Sequence, residues 1–482
     1  MSLATASVSF GEWLPDQPLL NNPGLTVATQ VIPRDTHYVP FLPQSTIGNT
    51  TLGATATAVF FISTGISYNY LMATKTRLFS GAPPSAITPT LTAQSSSEWS
   101  FLQWEDRVLA GHINVFPMSS TLSSLSSFAT LTAPKANVLG RVNQFVFLGH
   151  IQDTGGTVRP STARWSAIGD ETNWPTPNTA TATATQAGEQ DLDTSYGPIV
   201  RITTGDQYGL IFQTGAITRV TYVGPPVVFQ FDTYYRGNGA VSQNAVMEVD
   251  GLVYFVAKDG FKVTDGVSVR SIGAGKVDKT FLSLVNFNTG LGPTAKIKLS
   301  FDSKNRCLMA AFASGAATIC QWLWMFNVDS QRWSQATGVA ITAMSQMPAF
   351  LQEFAQTQHA FNNSNILTRF IASAASDGNP ALLRSGLNEI NPGGRALVTG
   401  LKPQVEYSAT ATAVTARVGT KANQFYGTLT SVSYTGTLTP NTNTGWCDMM
   451  KDGKYLQAEV QISGDFDKAI GFEFAASPSG ER

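Results

Sequence analysis

The sequence predicts an all-β chain, folded as a β-propeller of about seven blades (six to eight). Three observations lead there. Helical periodicity is nearly absent from the 482 residues. Short apolar runs broken by Gly, Asp, Asn and Thr take its place. A two-strand unit also recurs, with neighbouring copies starting about 35 to 60 residues apart, the spacing of four-stranded blades with irregular insertions. A sandwich would show many short strands, but not one unit repeated so often. A single blade cannot bury both its faces, whereas a ring covers each blade with its neighbours.

The chain opens with a Pro-rich segment, 1–45, that reads as an extended docking arm. Its stretch FGEWLPDQPLLNNPGLTVATQVIP (10–33) holds four prolines, so it is neither helix nor central strand. It is too apolar for a free linker, and Trp13, Leu14, Pro15, Leu19, Leu20 and Pro23 make it a candidate assembly arm.

The propeller is placed at 46–390. Its units read YLMATKTRLFSG (70–81), DRVLAGHINVF (106–116), NQFVFLGHI (143–151) with ARWSAIG (163–169), and GLIFQTGAITRV (209–220). Then come VYFVAKDGFKVT (253–264), RCLMAAFAS (306–314) with CQWLWMFNVDSQRW (320–333), and LTRFIASAASDGNPALLRSG (367–386). In the fifth unit Asp259–Gly260 lies between two apolar runs, a hairpin signal in which Gly260 supplies the positive φ of a type I′ turn. Asp250–Gly251 and Asp265–Gly266 bracket it as entry and exit turns. Trp165, Trp174 and Trp333 follow tight turns and read as aromatic plugs, each stabilising its own blade.

Three segments fall outside the pattern. The tract TATATAT (179–185), within 176–197, suits a neutral strand or a long flexible loop. LQEFAQTQHA (351–360) is the one stretch with helical character. Residues 391–482 read as further strands. KYLQAEVQI (454–462) puts Leu456, Ala458, Val460 and Ile462 on one face, to close the ring or to form a small β-layer.

Composition narrows the function. Only 13% of residues are charged and the net charge is −1. This fits a surface that faces other subunits, and equally a secreted Ser/Thr-rich β-protein. No basic run supports phosphate-driven nucleic-acid binding. The start, MSLATASVSFGEW, lacks the cationic and apolar regions of a signal peptide, and no apolar run approaches a membrane span. Cys307, Cys320 and Cys447 show no metal or disulfide spacing and read as buried thiols. The four histidines lie far apart, and no hydrolase or nucleotide motif appears. Calcium ligation at the Asp-Gly pairs fails on spacing, because Leu252, Tyr254 and Val256 fall at ligand positions. No catalytic, cofactor or metal residue is assigned.

The order of several segments resembles the tail nozzle (tail hub, packaged-DNA stabilisation) proteins of short-tailed bacteriophages. The matching pieces are GEWLPDQPLLNNPGLTVATQVIP, RWSAIGDETNWP, GPIVRITTGDQYGLIFQTGAITRVTYVG, GAVSQNAVMEVDGLVYFVAKDGFKVTDG and KYLQAEVQISGDFDKAIGFEFAASPSGER. The resemblance implies a propeller subunit of a six-fold ring below the portal and adaptor. Such a ring extends and closes the DNA channel and anchors fibres or spikes. DNA would pass without sequence-specific binding, and the protein would be made in the host cytoplasm and end in the virion tail. Thr179, Thr181, Thr183 and Thr185 then become candidates for lining the lumen or contacting a fibre. Two rival functions remain open: a propeller glycosidase acting on host surface glycans, and a lectin-like receptor-binding protein.

Overall fold

The computed structural model describes all residues except 1–3, 64–67, 92–97, 288–291, 347–357, 373, 375–377, 392–393, 408–411, 422–431 and 480–482. Strands dominate it. Blade 2 shows how the sequence makes a unit. Ser100–Trp104, Arg107–His112, Val115–Thr121 and Ala129–Thr130 succeed one another in chain and in sheet, each antiparallel to the last. The first two strands are almost wholly buried and the last is exposed. A strand covered on both faces carries continuous apolar residues rather than alternation, which is why these units read as runs.

The same order builds blade 1 (Ala58–Ser63 to Ser85–Ala86), blade 3 (Lys135–Val142 to Gly188–Asp191), blade 4 (Ile199–Ile202 to Val228–Arg236) and blade 5 (Val246–Val249 to Val269–Ser271). Blade 6 starts at Lys298–Asp302 and ends in Trp333–Gln346, a strand that serves two blades. Its first residues pair with Cys320–Asn327, while Ile341, Ala343 and Met344 pair with His359–Asn362 of blade 7. The register shifts between these halves, beside Gly338 at φ 76°.

Blade 7 corrects the seventh sequence unit. Its third strand is Ile366–Phe370, and its fourth is Gln44–Thr51, from the other end of the chain. Ala381–Ser385, the expected partner of Ile366–Phe370, pairs instead with Leu25–Thr29 and Tyr455–Ser463. The stretch expected to be helical, 351–360, lies outside the described residues up to 357, and His359 and Ala360 are in a strand.

Seven apolar clusters show that the ring is closed. Phe60 stacks on Phe101 between blades 1 and 2, and Leu109 clusters with Leu139 between 2 and 3. Phe147 meets Phe229 between 3 and 4, Phe212 meets Phe255 between 4 and 5, and Tyr254 meets Phe326 between 5 and 6. Met309 clusters with Met344 between 6 and 7. The last cluster, Phe361 with Val59 and Phe61, joins blade 7 to blade 1.

The remaining strands form two facing sheets beside the ring. One contains Leu25–Thr29, Ala381–Ser385, Tyr455–Ser463 and Ala413–Lys421. The other contains Ala4–Ser9, Lys468–Ser479, Arg395–Glu406 and Cys447–Gly453. Val398, Leu401 and Phe472 on one sheet share a core with Val418, Leu456 and Ala458 on the other. Residues 454–462 therefore belong to the β-layer and do not close the ring.

The arm docks on its own chain. Trp13 is 2% exposed, in the chain's own core, with its ring 5.0 Å from that of Trp324 in T-shaped contact. Its indole N–H donates to the Thr26 carbonyl. The Asp16 carboxylate accepts from the backbone N–H groups of Lys279 and Thr280, capping the helix Asp278–Leu284 from a distance. Arg332 donates to the carbonyls of Phe10, Gly11, Arg34 and Asp35. Leu14, Pro15 and Leu20 are half-buried, Leu20 in a bridge to Leu387, and only Leu19 and Pro23 of the six arm candidates are exposed. The arm binds blade 6 to the C-terminal sheets within one subunit, and it holds a strand after all: Leu25–Thr29 pairs with Ala381–Ser385 and, at Thr29, with Gln335 of blade 6, with Pro23 and Pro33 outside its ends.

Candidate functional site

The three Asp-Gly pairs all sit at turns of blade 5, in different roles. Asp250 and Gly251, at φ 51° and 76°, join Val249 to its partner Leu252, so the type I′ turn is here. Asp259–Gly260 is not that turn. Gly260 pairs with Ala257, which leaves Lys258 and Asp259 at the tip. Gly260 does have a positive φ, 126°, and it also makes room for another group: a Cβ there would lie 2.3 Å from the Asp278 carboxyl carbon. Asp278 accepts from the Phe261 N–H (3.0 Å), and burial pushes its carboxyl up to about 6. Asp265 accepts from the N–H groups of Val267 and Ser268 and fixes the third turn.

The threonine tract is a helix, Ala180–Ala184, rather than a strand or a loose loop. The Thr179 hydroxyl caps it by accepting from the Ala182 N–H, and the Thr183 and Thr185 hydroxyls donate back to the carbonyls of Thr179 and Thr181. The Thr179 cap favours the helix by matching an orphan N–H, whereas the two back-bonds only satisfy hydroxyls and tend to bend a helix. Thr179, Thr181 and Thr183 are exposed and Thr185 is half-buried. The surrounding stretch 176–197 also supplies the outer strand of blade 3, so it is no single long loop.

The three tryptophans are buried plugs; Trp165 stacks on Phe147 and Trp333 packs on Phe326 of their own blades, and all three also reach a neighbouring blade. Trp165 donates to the Gln186 carbonyl and packs on Phe229 of blade 4. Trp174 clusters with residues of blades 2 and 3 and donates to the Glu171 carbonyl. Trp333 donates to the Ile272 carbonyl across the junction of blades 5 and 6.

Nothing in the sequence pointed to the most polar buried region, near the propeller axis. Glu98 precedes the first strand of blade 2 and Lys298 opens that of blade 6. They meet at 3.6 Å, with side chains 1% and 2% exposed. Asn244 donates to Glu98 Oε1 at 2.8 Å, and Lys298 donates to the Pro293 carbonyl. Nearby, burial raises the Glu248 carboxyl, against the opposing pull of Arg201 and Arg141. A buried pair held by further hydrogen bonds is a structural plug that is costly to break.

Beside this plug lies a cavity of about 450 Å³, lined from blades 2 to 6. Glu98, Asn137, His150, Thr214, Gln243 and Lys296 are among its walls. His150 sits at φ 53° on a register shift between strands, and burial lowers its pKa. Bulges of this kind re-aim a side chain. A second cavity, about 350 Å³ and mostly apolar, lies between the C-terminal sheets. Among the described residues no group of three His, Cys, Asp or Glu is arranged to hold a metal. Cys307, Cys320 and Cys447 are buried free thiols, and burial pushes each one's pKa up, to about 11 for Cys320 and Cys447.

No protein-family model matches the chain, and no curated protein does. Solved structures that align with it include a computationally designed protein, Ika8, at 13% identity over 74% of this chain and 99% of that one, with a TM-score of 0.39. BamB from Moraxella catarrhalis aligns at 12% identity over 76% and 99%, with a TM-score of 0.37. The Neurospora crassa Pan2 WD40 domain aligns at 7% identity over 70% and 96%, with a TM-score of 0.43. Likenesses this distant carry no argument about activity; the propeller assignment stands on the sheet order and the seven junctions.

Proposed function

We propose that this chain is a structural subunit of a short phage tail, a nozzle or hub protein that works in a ring of six copies and performs no chemistry of its own. Portal-side adaptor proteins and fibres or spikes would be its partners, and the virion tail its location. One observation carries the reading. Cys447–Gly453 is the terminal strand of its sheet among the described residues, and it carries Met450 77% exposed. A sheet edge with an apolar residue facing out is a ready surface for another chain. The low charge and the ordered resemblance of segments along most of the chain support the same reading.

The geometry adds a condition. The Glu98–Lys298 plug fills the region near the propeller's axis, so DNA would run between copies rather than through one propeller. The exposed Thr179–Thr183 surface is a candidate for that lumen or for a fibre contact.

Native mass spectrometry of the full chain, alone and with its adaptor ring, tests the assembly. Six copies on the platform are expected. A stable monomer that cleaves a glycan and never joins the ring would overturn it. Deleting 179–185 and measuring DNA retention in virions tests the lumen role, and unchanged retention would remove it.

A further inference from the structure

The cavity beside the axial plug has a chemistry that tail assembly does not use. Gln243 is 3% exposed and its amide N–H donates to the Trp99 carbonyl, which fixes the orientation of the group. Its Oε1 is buried on the cavity wall with no hydrogen-bond partner. Asn137 Oδ1, from blade 3, is in the same condition on the same wall. A buried carbonyl oxygen left unmatched costs about 1–3 kcal/mol, so two in one cavity call for a donor. The two hydroxyls of the site are already spent as donors: Thr214 gives its proton to the Tyr196 carbonyl and Ser242 to that of Ile297. They too can only accept.

The rest of the wall restricts the ligand further. Pro198, Val200, Val241 and Ile297 give it apolar area, and Phe287 stands partly exposed beside them. Lys258 and Lys296 bring two cations, while Glu98 is already matched by Lys298 and Asn244. Burial holds His150 towards its neutral form, so it adds little charge. A fitting molecule therefore carries several O–H donors, an apolar C–H face, and a negative charge. The volume suits one or two sugar rings.

We infer that this cavity is a binding site for an acidic monosaccharide unit, a uronic acid. Its hydroxyls donate to Gln243 Oε1 and Asn137 Oδ1, its C–H face lies on the apolar wall, and its carboxylate meets Lys258 and Lys296. The assignment is independent of ring assembly, since it concerns one subunit.

Calorimetric titration of the full chain with D-galacturonate and D-glucuronate, against D-galactose and D-glucose, tests it. The uronates are expected to bind about tenfold tighter than the neutral sugars, because a charge-assisted pair adds to the shared hydroxyl contacts. In the double variant Lys258→Ala/Lys296→Ala that advantage disappears. In Asn137→Ala both sugar classes bind about fivefold or more weakly, as expected for a lost acceptor. Absence of binding by all four sugars overturns the inference. So does a neutral sugar that binds as well as its uronate, or uronate binding that the lysine double variant leaves unchanged. The lysine variant alters only solvent-reaching side chains, so the test does not depend on the folding of the Asn137 variant.

Discussion

Trp13 and Leu19 stand six positions apart in one apolar arm, and their fates differ. Trp13 fills a slot against Trp324, whereas Leu19 is 41% exposed. Trp13→Ala is expected to destabilise the chain by about 3–5 kcal/mol and Leu19→Ala by about 0.5 kcal/mol or less. Chemical denaturation of the two variants checks this. The apolar character of the arm was legible in its residues. Its destination was not, because Trp324 lies more than three hundred positions away, and nothing local marks two tryptophans as partners. Asp278 gives a second test at this scale. Its carboxyl sits near 6 in the fold against an ordinary 3.8, because it is buried. Between those values the folded chain holds a proton that the unfolded chain has released. Stability therefore falls as pH rises through about 4 to 6, and the full penalty stands above that window. Asp278→Asn, which cannot ionise, should gain on the parent over that range by on the order of 1 kcal/mol and show no gain below pH 4. Thermal melts of both proteins from pH 3.5 to 7.5 read the difference.

At the scale of elements, two glycines of blade 5 separate conformation from space. Gly251 sits at φ 76° with nothing near its missing Cβ, while Gly260 has the Asp278 carboxylate against it. Gly251→Ala should cost about 1 kcal/mol for the left-handed backbone alone. Gly260→Ala should cost about 3 kcal/mol, since it also forces the carboxylate aside. Paired unfolding curves distinguish them. Asp-Gly as a turn signal was readable from sequence, but the geometry at each copy was set by register. Val249 opposite Leu252 leaves Asp250 and Gly251 as the loop, and Ala257 opposite Gly260 moves the loop one residue back. The threonine tract escaped because its period of two matches a strand. Its helix starts at the Thr179 side-chain cap, which hydrophobic patterning does not register.

At the scale of the molecule, the repeat itself was visible because inner strands buried on both faces leave unmistakable apolar runs. The seventh blade was hidden because its strands come from opposite ends of the chain. Neither Gln44–Thr51 nor the second half of Trp333–Gln346 looks like a blade when read alone. Met450 offers the assembly test. Met450→Lys should leave the melting temperature within about 1 °C, as an exposed substitution does, yet abolish or sharply reduce ring formation on the adaptor platform. Mass photometry beside a thermal melt measures both. Intact rings with the lysine in place would mean that this edge is not the contact.

The strand Gln44–Thr51 has a consequence for how the protein comes into being. It leaves the ribosome among the first segments made, but its partner Ile366–Phe370 is synthesised more than three hundred residues later. For most of translation one long, Thr-rich strand must wait unpaired while the inner blades form behind it. Closure is then a single late event of very high sequence separation, the slow kind of folding step. A nascent chain halted before residue 366 would hold its early blades in an open arc, exposed to proteases and to the same strand from its neighbours on the polysome.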